Sequence, residues 1–116
     1  RVILCSGKVY YDLLAKRRLD KRIDVAIIRI EQLYPFPEVE LRQLLAQYTW
    51  AKQVIWCQEE PQNQGAWYCT QHHLRAALAA TQTLEYVGRV ASSSPAAGYH
   101  SVHVAEQNSL VEQALG

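Results

Sequence analysis

The run Val2-Ile3-Leu4-Cys5, closed by Ser6-Gly7, is apolar without alternation, the pattern of a strand buried on both faces. From Lys8 to about Lys21 the spacing becomes helical, with Val9, Leu13 and Leu14 on one side and Lys16, Arg17 and Arg18 elsewhere. Val25 to Ile30 is a second apolar run. Leu33-Tyr34-Pro35-Phe36-Pro37 then breaks the chain, and Pro37 suits the first turn of a helix, where a missing amide donor is harmless. Leu41, Leu44, Leu45 and Tyr48 follow at i, i+3, i+4 and i+7, an amphipathic helix. Gln53 to Cys57 predicts a third strand, Ala66 to Ala80 a helix, and Leu84 to Arg89 a fourth strand. Residues 91–98 read as an irregular loop. A short strand is expected near Ser101 to Val104, before a last helix carrying Leu110, Val111, Ala114 and Leu115.

Strands alternating with helices of this length predict an α/β three-layer sandwich built on a mostly parallel sheet of four to five strands, because right-handed crossovers lay helices over both faces. In such sheets the binding groups gather where strand C-termini feed into loops. That edge is expected to collect Ser6-Gly7-Lys8, Glu31-Gln32, Glu59-Glu60 and Arg89.

With 116 residues, 49% of them hydrophobic, the chain has the size of one domain. A formal net charge of +1, with basic clusters only at Lys16 to Arg18 and Lys21-Arg22, argues against a nucleic-acid surface. No apolar run approaches the roughly 18 to 20 residues that span a bilayer, so no membrane partner is expected. Three cysteines, Cys5, Cys57 and Cys69, in a chain too large to need disulfide staples suggest reduced thiols in an intracellular protein. The sequence has no methionine and opens inside an apparent strand, which suggests a piece of a longer polypeptide.

The densest polar stretch is Gln58-Glu59-Glu60-Pro61-Gln62-Asn63-Gln64-Gly65-Ala66-Trp67, directly after the third strand. Its carboxylates and amides suit either a contact with another subunit or domain, or the dipole at the start of the following helix. The turn Cys5-Ser6-Gly7-Lys8 joins a strand to a helix, where backbone amides and the lysine suit an anion or form an ordinary turn. Cys57, Cys69, His72 and His73 offer zinc-ligand chemistry, but in a spacing that matches no familiar zinc pattern, and no metal site is expected. A nucleophile built from Cys69 and His72 has no neighbour that would lower the thiol pKa.

Taken together, Arg1 to Tyr11, Arg29-Ile30-Glu31-Gln32-Leu33-Tyr34-Pro35-Phe36-Pro37, and Gln58-Glu59-Glu60-Pro61 with Asn63-Gln64-Gly65-Ala66-Trp67 closely resemble the C-terminal domain of the thiamine-diphosphate-dependent decarboxylating component of the 2-oxoglutarate dehydrogenase complex. The Ser92 to Gly98 loop with His103, Glu106 and Gln107 fits the same family. The resemblance covers nearly the whole chain.

It implies a transketolase-type C-terminal domain, residues 1–116, at the end of a large homodimeric oxidoreductase of the citric acid cycle. That enzyme decarboxylates 2-oxoglutarate and passes the succinyl group to the lipoyl arm of the succinyltransferase component. Thiamine diphosphate and magnesium are implied to lie outside this chain, which itself carries no catalytic residue. The implied partners are the catalytic domains and a second identical subunit, facing Glu59, Glu60, Asn63, Gln64, Gly65 and Trp67. By analogy with effector binding in related enzymes, acetyl-CoA or AMP would meet Arg1, Ser6, Lys8 and Arg89. The implied location is the bacterial cytoplasm or the mitochondrial matrix. The alternative is an independent nucleotide- or acyl-CoA-binding α/β module.

Overall fold

Four apolar runs became four parallel strands, in the order β2-β1-β3-β4. The structure, a computed structural model, describes residues 1–93 and 99–116. The elements run β1 (Val2–Cys5), α1 (Val9–Leu19), β2 (Ala26–Arg29), α2 (Glu38–Gln47), β3 (Gln53–Pro61), α3 (Trp67–Ala77), β4 (Thr83–Arg89) and α4 (His100–Leu115).

β1 and β3 are the inner strands, in register Val2 with Val54 through Cys5 with Cys57. Each face is apolar because successive side chains alternate sides. Ile3, Cys5, Ile55, Cys57 and Val87 pack with Val9 and Leu13 of α1 and Leu110, Val111, Ala114 and Leu115 of α4. Val2, Leu4, Val54 and Trp56 pack with Leu41 and Leu45 of α2 and Trp67, Leu74 and Ala77 of α3. The molecule is thus a three-layer α/β sandwich, as the run pattern predicts, with the sheet at the four-strand end of the expected range.

The connection from β1 through α1 moves to one side of β1, and the next, through α2, passes back to β3 on the other. Right-handed crossovers therefore place α1 and α2 on opposite faces. The chain diverges at the C-terminal ends of β1 and β3, where a crevice opens in sheets of this topology.

Three elements differ from the sequence expectation. β3 continues past Cys57 to Pro61, with its pairing to β4 irregular between those residues. The short strand expected near Ser101 to Val104 is instead the opening of α4. His103 and Gln107 continue, at helical spacing, the stripe that Leu110, Val111 and Ala114 bury, so the inward face of this helix begins with polar residues and an apolar pattern does not reveal it. α3 also stops at Ala77, short of the expected Ala80. There the buried Gln82 accepts the Ala79 N–H at 2.9 Å and donates to the Leu45 and Tyr48 carbonyls at the end of α2. Of the expected 91–98 loop, residues 94–98 lie outside the described residues; 91–93 are irregular.

Candidate functional site

Gln58 is the centre of the polar edge. Only 2% exposed, it sits where β3 leaves the apolar core. Its side-chain oxygen accepts the Trp56 indole N–H at 2.9 Å and the Trp67 backbone N–H at 3.1 Å. Its side-chain amide donates to the carbonyls of Glu60, Pro61 and Gln64 at 3.2, 2.9 and 2.8 Å. One buried amide thereby closes the turn between β3 and α3 and supplies a partner to an early N–H of a helix with no side-chain cap of its own. Sequence reasoning placed Gln58 in the motif without giving it a role. The available signal was an amide directly after an uninterrupted buried strand.

The rest of the motif divides between internal bonds and solvent. Asn63 donates its side-chain amide to the Ser92 carbonyl at 2.8 Å and accepts the Ser92 N–H at 2.9 Å, and Gln64 donates to the same carbonyl at 3.1 Å. These two residues hold the segment after β4 within the chain. Gly65 has φ +64, a conformation that glycine adopts without strain. Trp67 is 5% exposed and packs against Tyr86 at 5.3 Å between ring centres, so its indole is core and offers no free face to a second subunit. Glu60 remains exposed.

The four groups expected at an anion site are not brought together. Arg1 precedes β1, so it lies at the opposite end of the parallel strands from the loops that follow them. Its guanidinium donates to the Gln113 and Ala114 carbonyls at 3.2 and 3.1 Å and to Gln53 Oε1 at 2.9 Å. Lys8 and Arg89 do share an edge, through Glu59. Lys8 Nζ pairs with Glu59 Oε1 at 2.7 Å, and this hydrogen bond pushes the lysine pKa up. Arg89, 8% exposed, donates its Nε–H to the Glu59 carbonyl at 2.8 Å. Its remaining donors meet Glu106, Gln107 Oε1 at 2.9 Å, and the His103 carbonyl at 3.4 Å. Gln107 in turn donates to Asp12 of α1 at 2.8 Å. Arg89 thus ties β4, β3 and α4, and a phosphate would have to displace carboxylates to reach either cation. Ser6 lines the crevice between β1 and β3.

Glu31 and Gln32 stay local, Glu31 3.7 Å from Arg29 and Gln32 donating to the Pro35 carbonyl at 3.0 Å. Of the considered zinc ligands, Cys57 is buried, its thiol pushed up to about 12 mainly by that burial. His73 pairs through Nδ1 with Glu38 at 3.0 Å and stacks on Phe36 at 4.9 Å. Among the described residues no three His, Cys, Asp or Glu side chains are grouped as metal ligands.

The crevice between β1 and β3 has a volume of about 420 Å³ and is walled by Tyr34, Trp56, Glu60, Cys69 and His73, among others. Among the described residues aromatic rings, a thiol, hydroxyls and one carboxylate line it, and no lysine or arginine does.

The family described as 2-oxoglutarate dehydrogenase C-terminal matches residues 1–115. The chain belongs to this family. It is 64% identical over 117 residues to the 2-oxoglutarate dehydrogenase E1 component of Coxiella burnetii (99% of this chain, 12% of the relative). It is 58% identical over 118 residues to that of Azotobacter vinelandii and 56% over 115 residues to that of Haemophilus influenzae, with the same coverage. The chain thus spans 12% of the length of these curated relatives. Among the described residues no metal-ligand set is grouped, and Lys8 and Arg89 on the loop edge are already paired with carboxylates, a poor fit to a magnesium-diphosphate group.

Proposed function

We propose that this chain is the C-terminal assembly domain of a 2-oxoglutarate dehydrogenase E1 enzyme, an oxidoreductase acting on 2-oxoglutarate and handing the acyl group to the next component of its complex. The observation that carries this reading is the family match over residues 1–115, with 64% identity to a relative of that name. Thiamine diphosphate supplies the carbanion-stabilising chemistry when bound to such an enzyme. In this reading the cofactor is held by the remainder of a polypeptide as long as the relatives, of which this chain covers 12%. What this domain contributes is a rigid edge. Gln58 fixes the Glu59–Trp67 turn, Asn63 and Gln64 fix the neighbouring Ser92 segment, and Glu60 is left facing outward toward a neighbouring domain or a second identical subunit.

The test compares the full-length enzyme with the 116-residue chain in a 2-oxoglutarate-dependent dye-reduction assay containing thiamine diphosphate and magnesium. Turnover by the full-length enzyme and none by the chain is expected. Preference of the full-length enzyme for a different 2-oxo acid, or turnover by the chain itself, overturns the reading.

A second reading, an effector site for acetyl-CoA or AMP at Ser6 and Lys8, draws on the turn into α1, where Gly7 has φ +80 and Lys8 is exposed. It requires the Lys8–Glu59 pair to open. Calorimetric titration with either compound, repeated on Lys8→Ala, decides it: saturable heat lost in the variant supports the site, and no heat removes it.

A further inference from the structure

The crevice between β1 and β3 carries groups that the fold itself does not use. Among the described residues, the side chains of Ser6, Tyr34, Glu60 and Cys69 make no hydrogen bond or ion pair, yet all four line this one cavity of about 420 Å³. Several charged groups around it are paired: Glu59 with Lys8, Arg89 with Glu106, Glu38 with Arg42 and His73. Glu60 has no such ion pair among the described residues. Lys8, the nearby cation whose charge it feels, is bonded to Glu59 instead.

A carboxylate left open in a cleft whose walls are aromatic and which holds no cation is complementary to a planar cation. A guanidinium fits each surface. It forms paired N–H donors to a carboxylate, stacks on a ring face, and still has donors for the Ser6 and Tyr34 hydroxyl oxygens. A lysine ammonium would satisfy the charge but not the stacking, and a phosphate would be repelled by Glu60. Tyr34 is 93% exposed, so its ring is free to close over an entering side chain. Arginine is also among the residues that anchor protein contacts most strongly.

We infer that this crevice is a socket for an arginine side chain supplied by the part of the same enzyme polypeptide that lies outside these 116 residues. The relatives are far longer than this chain, which covers 12% of each, so ample sequence exists to supply it. The inference rests on the assembly reading above and names the contact that edge makes.

Two experiments test it. The 116-residue chain, titrated with N-acetyl-arginine amide, should shift the Trp56 indole N–H resonance saturably. N-acetyl-lysine amide should bind several-fold more weakly, and the neutral citrulline analogue not at all. Glu60→Gln should abolish the shift while leaving the fold intact, because the Glu60 carboxylate has no partner among the described residues. Equal shifts from the citrulline analogue, or an AMP shift that survives Glu60→Gln, overturn the socket.

In this chain Cys69 on the cavity wall is exposed, whereas Cys5 and Cys57 are buried, so Cys69 is the thiol to target in the full-length enzyme. A linker with a maleimide at one end and an arginine-selective phenylglyoxal at the other should join Cys69 to an arginine peptide of the same polypeptide. Cys69→Ser should lose that product. A product joined to a different protein, or no arginine adduct, overturns the proposal even if the enzyme is fully active on 2-oxoglutarate, which separates its failure from failure of the assembly reading.

Discussion

Gln58 Oε1 accepts the backbone N–H of Trp67, nine positions on, at 3.1 Å, and this bond locks the first turn of α3 onto the end of β3. The same amide serves Trp56 and three carbonyls. Replacing it with leucine keeps the volume but leaves five backbone and indole groups without their partner. Gln58→Leu should therefore lower stability by about 3 kcal/mol, several times the effect of a surface change. Gln58→Glu should be no better at neutral pH, because a carboxylate cannot donate to the carbonyls of Glu60, Pro61 and Gln64. Denaturant unfolding of both variants checks this; a loss below about 1 kcal/mol would show that water replaces the amide.

Two glycines beside that amide should differ in kind. A Cβ on Gly88 would lie 2.5 Å from the Tyr86 hydroxyl and 2.7 Å from the Gln58 carbonyl oxygen, and a backbone carbonyl cannot swing aside as a side chain can. At Gly65 a Cβ would meet the Glu60 Cβ at 3.1 Å, and the residue must hold φ +64. Gly88→Ala should cost about 2 to 3 kcal/mol by overpacking and Gly65→Ala about 1 to 2 kcal/mol by backbone strain. Thermal unfolding should rank them in that order, and the reverse ranking would mean that Tyr86 swings away freely.

Thiol chemistry should single out one cysteine. Burial pushes the Cys5 and Cys57 thiols up to about 12, and burial likewise lifts the Tyr86 hydroxyl to about 12. A thiol reagent at pH 8 should titrate Cys69 alone in the native chain and all three cysteines in denaturant. Between the ordinary thiol value of 9.0 and about 12, the unfolded chain releases protons that the folded chain retains. Stability should be unaffected by these groups below pH 9 and fall as pH rises above it. Unfolding midpoints taken from pH 8 to 11 test the sign; a rise above pH 9 would contradict it.

Arg89 should hold the first half of α4. Residues 100–109 are mostly exposed, and their inward contacts with the sheet converge on the Arg89 guanidinium through His103, Glu106 and Gln107. Arg89→Ala should cost about 3 kcal/mol, since it strips a buried charge network of its centre. Amide hydrogen exchange should accelerate over His100 to Gln107 more than over Leu110 to Leu115, which have their own apolar anchors. Uniform exchange along the helix would assign its stability elsewhere.

Periodicity made the strands and most helices legible, because the core is divided cleanly between two apolar faces. It failed where polar residues face inward. β3 runs on through Gln58 and Glu59 because its neighbours are hydrogen-bonded rather than greasy, and α4 begins at His100 because its inward stripe starts with His103 and Gln107. The edge shared by Ser6, Lys8, Glu59 and Arg89 followed from the parallel sheet. Arg1 did not belong with them, and topology gives the reason: a residue entering a parallel strand sits at the end opposite the loops that leave it. The resemblance puts Trp67 among the partner-facing residues, whereas its indole is buried against Tyr86.

The Gln58 amide also gives the domain an optical signature. It touches the Trp56 indole directly and the Trp67 backbone, and both rings are sealed from water, whereas Trp50 is 56% exposed. Native emission is therefore a sum of two shielded indoles and one solvated one. Any event that pries the Glu59–Trp67 turn off the sheet should move the blue part of that spectrum first, reporting on the edge without an added label.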